Sequence, residues 1–397
     1  MILRQLANSV DAVGAIDWDR RLFDELIPLP DGTTYNAYLI RGSTKTALID
    51  TVDPAKEKEL FDNLEKAPIE RIDFVIPNHA EQDHSGSIGS VLKRYPEARV
   101  VTNPKCKNML IDHLHIPSDK FIEVNDSDTV SLGDKTLEFI IAPWVHWPET
   151  MFTYLREDEI LFSCDLFGSH LATSDLYAHN QARVYEAAKR YYAEIMMPFR
   201  PSIKKHLEKL KNYAISTIAP SHGPVHDKPA FIMDAYRDWI SDQVKNEVII
   251  PYVSMHGSTQ ALVDYFVDAL MQRNITVQPF NLTKTDIGEL AMALVDAATI
   301  VIASPTVLVG PHPAVVYATY LTNALRPKLK FASIIGSYGW GSKMVEHITA
   351  MLGNVKVDII PPVVIKGYPQ SKDYESLNKL ADEVLARHQS MNIIPGR

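Results

Sequence analysis

The second part of the chain alternates strands and helices in a regular rhythm, and this feature limits its fold more than any other. The predicted strands lie at 247–254, 275–281, 299–304, 330–337 and 356–365, and the predicted helices at 259–272, 285–296, 313–325, 342–352 and 371–389. Strands that read as buried on both faces and are joined through helices form a parallel sheet. The pattern therefore predicts a doubly wound α/β domain over residues 247–397.

The first part, residues 1–246, has a different organisation. Short β-runs separated by turns predominate, and helical stretches at 55–66 and 180–194 intervene less regularly. The β-runs lie at 35–40, 46–52, 72–79, 98–102, 136–142 and 159–165. This pattern predicts two sheets flanked by helices. Two domains also agree with the length of 397 residues, because a chain of this length usually folds around more than a single hydrophobic core.

Charge and cysteine content exclude several classes of protein. The net charge is −9 and no basic cluster is present, so neither nucleic acid nor an anionic membrane is an expected partner. No leader-like or membrane-spanning apolar stretch is found, which favours a cytoplasmic location. Cys106 and Cys164 are the only cysteines, too few for a disulfide framework or a cysteine-built metal cluster.

Ligand-type side chains are concentrated in the segment PNHAEQDHSG, directly after the apolar run 74–76. His79, Glu81, Asp83 and His84 fall within six positions. A loop that leaves the end of a buried strand can point such side chains into a cleft. In an extended segment His84 would face away from the other three, so a turn must bring it round, or it serves a second ion. The cluster therefore predicts a metal site.

Further candidate ligands follow later β-runs: His146, Asp165 and His222. Together the seven would hold two metals, and Asp165 is suited to bridge them because a carboxylate has two oxygens. A ligand set of nitrogen and oxygen without sulfur favours iron or manganese over structural zinc. His226 rivals His222 as the last ligand, and His170 is a candidate for orienting a ligand. The remaining histidines are interpreted as surface or packing residues.

The first strand of the second domain runs into the segment SMHGSTQALV, where a helix begins at once. Hydroxyl side chains, Gly257 and the free N–H groups of that helix would bind a phosphate. Two later loops, 304–311 and 337–342, also leave strand ends, where ligands of such sheets bind, and Tyr338 and Trp340 are flat enough to cover a planar ring. Neither GxGxxG nor a phosphate-loop lysine is present, so flavin mononucleotide (FMN) fits better than NAD or ATP.

These motifs, in this order, resemble the flavodiiron proteins (A-type flavoproteins). The resemblance extends from GTTYNAYLI through NHAEQDHSG, HWPETMFTYL, DLFGSH, RYYAEI and APSHGP to the flavin loops HGST, SPT and SYGWGS. It implies a metallo-β-lactamase-like αββα sandwich over 1–246 and a flavodoxin-like domain over 247–397. It also implies an oxidoreductase that passes electrons from FMN to two irons and reduces dioxygen to water, nitric oxide to nitrous oxide, or both.

The resemblance assigns site residues by motif. His79, Glu81 and His146 would bind one iron, Asp83, His84 and His222 the other, and Asp165 would bridge the oxo- or hydroxo-bridged pair. The expected FMN-binding residues are Ser254, Met255, His256, Gly257, Ser258, Thr259, Ser304, Pro305, Thr306, Val307, Leu308, Ser337, Tyr338, Gly339, Trp340 and Gly341.

Two further residues are expected to act at the irons. Many relatives carry a histidine after the Phe of an early segment, where this chain has Asp24, and an acid there would change proton delivery. Tyr192 is expected either to line the diiron pocket or to serve packing. His256 replaces the threonine of ordinary flavodoxins.

The resemblance also implies partners. A head-to-tail homodimer would bring one subunit's flavin to the other's irons, and pairing of dimers into tetramers stays open. The electron donor is external, with a rubredoxin or reduced coenzyme F420 as candidates. Two alternatives remain: a dizinc hydrolase fused to a flavodoxin-like domain, which leaves the flavin loops without a role, and an electron-transfer protein whose metal half is only structural.

Overall fold

The computed structural model describes residues 3–394, so the predicted domain limits at residues 1 and 397 lie outside the described residues. The chain forms two compact units. Unit 1 extends to Tyr192 and resumes at Phe199–Ile240, and unit 2 consists of Ala193–Pro198 and the chain from Ser241 onward. The predicted boundary between 246 and 247 remains a prediction, and it lies inside the first strand of unit 2.

Unit 1 contains two main sheets with helices outside them. Its strands are β1 (Arg4–Ala7), β2 (Val10–Ala12), β3 (Ala15–Asp17), β4 (Leu22–Phe23), β5 (Ile27–Pro28), β6 (Thr33–Tyr35), β7 (Tyr38–Arg41), β8 (Thr46–Ile49), β9 (Phe74–Ile76), β10 (Arg99–Thr102), β11 (Phe121–Glu123), β12 (Thr129–Ser131), β13 (Thr136–Ile141), β14 (Met151–Leu155), β15 (Ile160–Phe162) and β16 (Thr217–Ala219). Its helices are α1 (Glu57–Leu64), α2 (Gln82–Ser85), α3 (Ile88–Arg94), α4 (Pro104–Leu114), α5 (Gln181–Tyr191), α6 (Arg200–Leu210) and α7 (Pro229–Trp239).

The larger sheet of unit 1 has the order β1-β2-β7-β8-β9-β10-β11 and the smaller one β12-β13-β14-β15-β16. Side chains alternate across each strand, since successive residues point to opposite faces. Tyr38 and Ile40 therefore pack with Phe139 of the smaller sheet, while Leu39 packs with Leu60 of α1. The smaller sheet is covered by α6, whose His206 ring contacts Phe152. These layers confirm the predicted αββα sandwich.

Unit 2 is built on one sheet that is parallel except for one short strand. Its strands are β17 (Lys245–Tyr252), β18 (Thr276–Asn281), β19 (Ala297–Val307), β20 (Gly310–Pro311), β21 (Phe331–Tyr338), β22 (Asp358–Ile359) and β23 (Val363–Lys366), and its helices are α8 (Ser258–Met271), α9 (Ile287–Leu294), α10 (Pro313–Leu325), α11 (Met344–Met351) and α12 (Ser371–Ser390). The order β18-β17-β19-β21-β22, with β23 also on β21, is that of a flavodoxin-like sheet. The short strand β20 pairs antiparallel with β19.

One predicted strand of unit 2 differs from the structure. The predicted strand 356–365 is divided into β22 and β23, with Pro361 and Pro362 between them. Proline has no backbone N–H to donate to a sheet ladder, so the strand cannot continue through the pair. The other four predicted strands and all five helices of this domain are present, with shifts of a few residues at their ends. Within residues 3–394 no helix has both the length and the apolar character that crossing a membrane requires.

Candidate functional site

The predicted ligand cluster follows the fully buried strand β9. The backbone at Glu81 is extended, and α2 then begins, so a single helical turn carries Asp83 and His84. This helical turn brings His84 to the same side as His79, Glu81 and Asp83, as the sequence requires for a common site. The backbone carbonyl of His84 accepts hydrogen bonds from the N–H and the hydroxyl of Thr51 at 2.7 and 2.6 Å, which fixes that turn.

The other three predicted ligands come from the ends of three further strands. His146 follows β13, Asp165 follows β15 and His222 follows β16. The structure brings all seven residues together in two groups of metal-ligating atoms. Six of the seven are buried, and the His146 side chain is 14% exposed. The ligand set is therefore nearly closed to solvent, and His146 is its most exposed member.

The first group consists of His79, Glu81, His146 and Asp165. One oxygen of Glu81 lies 3.1 Å from His79 Nε2 and 3.2 Å from His146 Nε2. The second group consists of Asp83, His84 and His222. Here the two Asp83 oxygens lie 3.3 Å from His84 Nε2 and 3.2 Å from His222 Nε2. Within each group the candidate ligand atoms lie within 4.8 Å of one another, close enough for one ion.

Asp165 lies between the two groups. Its Oδ2 is 3.4 Å from His146 Nε2 and 3.7 Å from His79 Nε2. Its Oδ1 is 3.2 Å from His84 Nε2 and 3.4 Å from His222 Nε2. Each oxygen therefore faces a different group, which is the arrangement that a bridging carboxylate needs.

The electrostatics of the site indicate that it is built for cations. Burial acts to raise the pKa of Asp165, but the neighbouring His84, His146 and His222 outweigh it and hold that pKa well below its usual range. Burial acts to lower the pKa of His146 and His222, yet the surrounding carboxylates raise them to about 9 and about 10. The carboxylates thus stabilise positive charge in the site. Protonated imidazoles carry that charge here, and bound metal ions would carry more of it.

Unpartnered buried atoms test whether metal ions fit. Both oxygens of Asp83 and Nε2 of His84 are buried and make no hydrogen bond of acceptable geometry within residues 3–394. Polar atoms left in this state are costly unless an ion takes them up. The seven candidate ligands are four imidazoles and three carboxylates without sulfur, a set suited to iron. The residues present therefore fit a pair of metal ions.

Residues outside the predicted set orient the ligands. His79 Nδ1 donates to Glu149 Oε1 at 2.7 Å, and His222 Nδ1 donates to the Thr34 carbonyl at 2.6 Å. Such partners fix the ring orientation of a ligating histidine. The sequence signal for Glu149 is its position three residues after His146 in HWPET. No comparable signal marks Thr34, since its contribution is a backbone carbonyl.

The tyrosine at the site is the neighbour of the predicted one. Tyr191 donates its hydroxyl hydrogen to Asp165 Oδ1 at 2.9 Å. Tyr192 instead donates to the Trp239 carbonyl at 3.3 Å, and its ring packs against Tyr236 and Trp239. These contacts correct the expectation for the pocket: Tyr191 faces the shared carboxylate, and Tyr192 has the packing contacts.

Asp24 lies in the turn between β4 and β5, where Asp24 and Glu25 both have positive φ values near 50°. Partial burial raises the pKa of Asp24, and the negative charges of Glu81 and Asp83 add to the effect. Because the two ligand carboxylates influence it, Asp24 lies within electrostatic reach of the ligand set. The structure thus places this predicted residue at the periphery of the site rather than among the ligands.

His170 and His226 are both buried and outside the ligand groups. The His170 ring lies 5.0 Å from the His222 ring, and its Nδ1 is 2.9 Å from the Thr33 hydroxyl. His170 therefore packs against the ring of a ligand without a hydrogen bond to it, and its role in orienting that ligand stays a prediction. His226 donates from Nε2 to the Phe167 carbonyl at 3.1 Å, so His222 and not His226 joins the ligands.

The predicted phosphate loop lies between β17 and α8. Gly257 precedes the helix with φ at 85°, a value that suits glycine, and no heavy atom lies within 4 Å of the place a β-carbon would take. Met255 and His256 are exposed, and Ser254 accepts a hydrogen bond from the Gln260 N–H at 3.1 Å. The open space at the start of a helix of 14 residues fits an anionic group.

The three predicted flavin loops lie together at the carboxyl edge of the sheet. The Ser337 hydroxyl is 2.8 Å from that of Ser258 and 3.5 Å from that of Thr259, which joins the first loop to the third. Ser304 donates to the Pro305 carbonyl, and the next loop residues are Thr306, Val307 and Leu308. The third loop continues through Tyr338, Gly339, Trp340 and Gly341.

Two apolar side chains of these loops are almost fully exposed. Leu308 is 94% exposed and Trp340 is 89% exposed. Exposed apolar side chains are common singly, but apolar side chains that line the loops of a candidate ligand site can contact a bound ligand. Their exposure in the loops near the phosphate loop fits a planar ring such as that of FMN, which could stack on Trp340 and contact Leu308.

Comparison with known proteins adds a separate observation. The family model described as ODP family beta lactamase matches residues 33–223. The nitric oxide reductase of Moorella thermoacetica is 34% identical over 392 residues, which is 96% of this chain and 98% of that protein.

Two solved structures are similar over nearly the full length. Rubredoxin oxygen:oxidoreductase from Desulfovibrio gigas has a TM-score of 0.95 and 27% identity, with 98% of this chain and 99% of that chain covered. The flavodiiron protein from Giardia intestinalis has a TM-score of 0.92 and 27% identity, with 100% and 99% covered. Both domains and their order are therefore shared with these proteins.

Proposed function

The chain belongs to the flavodiiron protein family, and from this premise we propose that it reduces dioxygen to water, nitric oxide to nitrous oxide, or both, at a non-haem diiron centre supplied with electrons through FMN. The observation that carries the proposal is the position of Asp165, whose two oxygens face two separate ligand groups. A site for two ions that share a carboxylate, in one chain with a flavin-type loop set, suits multi-electron reduction of a small gas.

The residues that would hold the irons are His79, Glu81 and His146 on one side and Asp83, His84 and His222 on the other, with Asp165 shared. When bound, the irons supply open coordination positions and one-electron redox chemistry, and FMN supplies electron pairs. Carboxylate oxygens are hard ligands that favour ferric iron, so Glu81 supports an oxidised state better than a histidine would.

The protein's own groups arrange the site and supply protons. Glu149 and Thr34 hold His79 and His222 in one orientation each, and the Tyr191 hydroxyl holds Asp165. Both gas reductions consume protons, and the buried ligands cannot release any while they bind metal. We propose Asp24 for proton delivery, because its carboxyl group lies at the periphery of the site, within electrostatic reach of Glu81 and Asp83, and is not one of the ligands.

In unit 2 we assign FMN to the three loops at the carboxyl edge of the sheet. The α8 N-terminus and Gly257 would receive the phosphate, and Trp340 would cover the ring. The donor to this flavin is proposed to be a rubredoxin or reduced F420. We also propose a cytoplasmic location and a head-to-tail homodimer, with dimer pairing into a tetramer left to measurement.

Elemental analysis and flavin extraction on one anaerobically purified sample test the proposal. The expected result is two irons and one FMN per chain, with consumption of dioxygen or nitric oxide after chemical reduction. Asp165→Asn should abolish gas consumption, whereas Asp119→Asn, a matched change at an exposed carboxylate, should not. Two zincs without flavin would support the dizinc hydrolase instead. Metal and flavin without gas reduction would support a protein of electron transfer alone.

A further inference from the structure

Trp147 lies beside the first ligand group and has no role in the proposed function. It follows His146 in the segment HWPET and precedes Pro148, and a residue before proline favours an extended backbone. Residue 147 accordingly forms an antiparallel bridge with Val145. The indole is half-buried and packs against the apolar cluster that contains Leu110 of α4. The local backbone and the core therefore set its position.

Hydrogen bonds close the turn that carries Trp147. The Trp144 N–H donates to the Trp147 carbonyl at 2.7 Å. The Thr150 hydroxyl donates to the Val145 carbonyl at 2.6 Å, which joins the end of the turn to its start. The indole is thus held in one position relative to His146, which belongs to the same turn.

The indole contacts two ligand rings in edge-to-face geometry, an arrangement that stabilises aromatic pairs. Its centroid lies 4.9 Å from that of the His79 ring at 88° and 6.2 Å from that of the His146 ring at 73°. The same indole lies 6.3 Å from the ring of His113, an exposed residue in the last turn of α4. We call His79, Trp147 and His113 the ring chain. It links a ligand of the first group to the protein surface through aromatic rings.

The other tryptophans of the chain have different surroundings. Trp144 stacks on Phe199, and the buried Trp239 packs against Tyr192. Trp18 and Trp340 are 52% and 89% exposed. Trp147, in contact with two ligand rings, is therefore the tryptophan best placed to exchange an electron with a metal centre at the ligand groups.

Tyr191 is a second oxidisable ring at the site. Its side chain is fully buried, and its hydroxyl donates to Asp165 Oδ1 at 2.9 Å. A phenol releases this proton when it loses an electron, and Asp165 does not accept a proton while it binds metal. An indole loses the electron first, and the half-buried Trp147 then releases its N–H proton to water. The contrast favours Trp147 as the group that is oxidised.

We propose that Trp147 supplies an electron to the candidate metal centre when dioxygen is reduced there and FMN has no electrons to give. The proposal rests on the proposed function, because it requires dioxygen reduction at two irons. The centre gains one electron, the indole loses one, and the N–H proton of the indole passes to water. A small one-electron reductant of the thiol or ascorbate class then returns the electron near His113, and water returns the proton. The ring chain thus carries the missing electron from the surface and spares the ligand imidazoles from oxidation.

The experiment traps the indole radical. Holoprotein with iron and FMN is reduced anaerobically by two electrons per chain, half of what reduction of one dioxygen to water consumes, and is then mixed with dioxygen and the spin trap tert-nitrosobutane. The trap forms a C–N bond with a carbon radical and needs no further electron, so peptide mass spectrometry locates the adduct. We expect it on Trp147. Oxidants formed in solvent would instead mark the more exposed Trp18 and Trp340.

Three comparisons identify the source of the radical. Trp147→Phe should lose the adduct, because a phenyl ring is harder to oxidise, whereas Trp18→Phe should keep it on Trp147 at the wild-type yield. Wild-type protein with zinc in place of iron should form no adduct, since zinc has no redox chemistry. Wild-type protein kept fully reduced by excess donor should form none either. The last two comparisons use the unaltered chain, so a folding defect of Trp147→Phe does not affect them.

Iron content, FMN content and gas consumption with excess reductant separate this proposal from the proposed function. If the wild type lacks any of the three, the proposed function fails. If all three are intact and no adduct forms on Trp147, the electron-supply proposal is overturned. An adduct mainly on Trp18 or Trp340, or equal yields on Trp147 with zinc or under full reduction, overturns it as well.

Discussion

Tyr191 donates its hydroxyl hydrogen to Oδ1 of Asp165 over 2.9 Å, on the side of the carboxylate that faces His84 and His222. Burial, together with the negative charge of Asp165, holds the pKa of Tyr191 well above its usual range, so its hydroxyl stays a donor. Asp165, whose two oxygens face the two ligand groups, is thus itself held by a neutral partner, which fixes the carboxylate without cancelling its charge.

Tyr191→Phe should therefore weaken the centre without unfolding the chain. We expect gas consumption or iron affinity to fall by about 10- to 100-fold, the usual effect of losing a group that orients a ligand. Tyr192→Phe is the matched control, because its hydroxyl bonds to the Trp239 carbonyl. Turnover and iron content measured on both variants decide the matter. Equal activity of Tyr191→Phe and wild type would mean that Asp165 is held without this bond.

A second prediction concerns the shared position of Asp165. Asp165→Asn should reduce the iron content of both groups, since each of its oxygens faces one. Glu81→Gln should reduce mainly the first group, because its contacts are with His79 and His146. Iron per chain, measured after gel filtration, should approach none in the first variant and one in the second. The same loss in both variants would contradict a bridging role for Asp165.

The contrast between Tyr191 and Tyr192 shows what the sequence could not predict. The ligand cluster is local: His79 through His84 lie on one loop and a single helical turn, so their proximity follows from spacing alone. The two tyrosines are consecutive near the end of α5, where neighbouring residues point about 100° apart. Which one faces Asp165 depends on the rotation of the helix against its neighbours, and no local pattern sets that rotation.

The fold was more predictable than the orienting groups because periodicity reports on burial. The strand–helix rhythm of unit 2 predicts its sheet, and the apolar run 356–365 differs from a single strand because the prolines at 361 and 362 divide it. Thr34 could not be found in this way, because a backbone carbonyl carries no sequence signature. Glu149 was visible in HWPET, yet its pairing with His79 required the two segments to be brought together in space.

Gly257 provides a prediction for the flavin site. Its φ of 85° is strained for any residue with a β-carbon, although the space around it is open. Gly257→Ala should cost about 1–2 kcal/mol of conformational energy at the start of α8 and lower the retention of FMN. Gly353→Ala is the control, because Gly353 has neither a positive φ nor a close neighbour. FMN released on dilution, followed by fluorescence, should rise in Gly257→Ala only. Equal release from both variants would mean that the positive φ of Gly257 does not contribute to FMN binding.

The last prediction is a pH dependence of stability. Burial lowers the pKa of His226 to about 4, and its Nδ1 has no hydrogen-bond partner within residues 3–394. The folded chain therefore keeps this imidazole neutral while the unfolded chain takes up a proton below about pH 6.5. The unfolded state therefore binds more protons than the folded state below that pH. The free energy of unfolding has its full value above about pH 6.5, and part of it is lost as the pH falls toward 4.

His226→Gln removes this titration while an amide N–H remains available for the Phe167 carbonyl. From pH 7 to pH 5 the variant should gain about 2 kcal/mol in unfolding free energy relative to wild type, whatever its stability at pH 7. Urea denaturation of both proteins with equal metal and flavin content measures the difference, so that titration of the metal ligands cancels. His179→Gln, at an exposed histidine, should show no such gain. A relative stability of His226→Gln that does not change with pH would mean that this imidazole is not held neutral by burial.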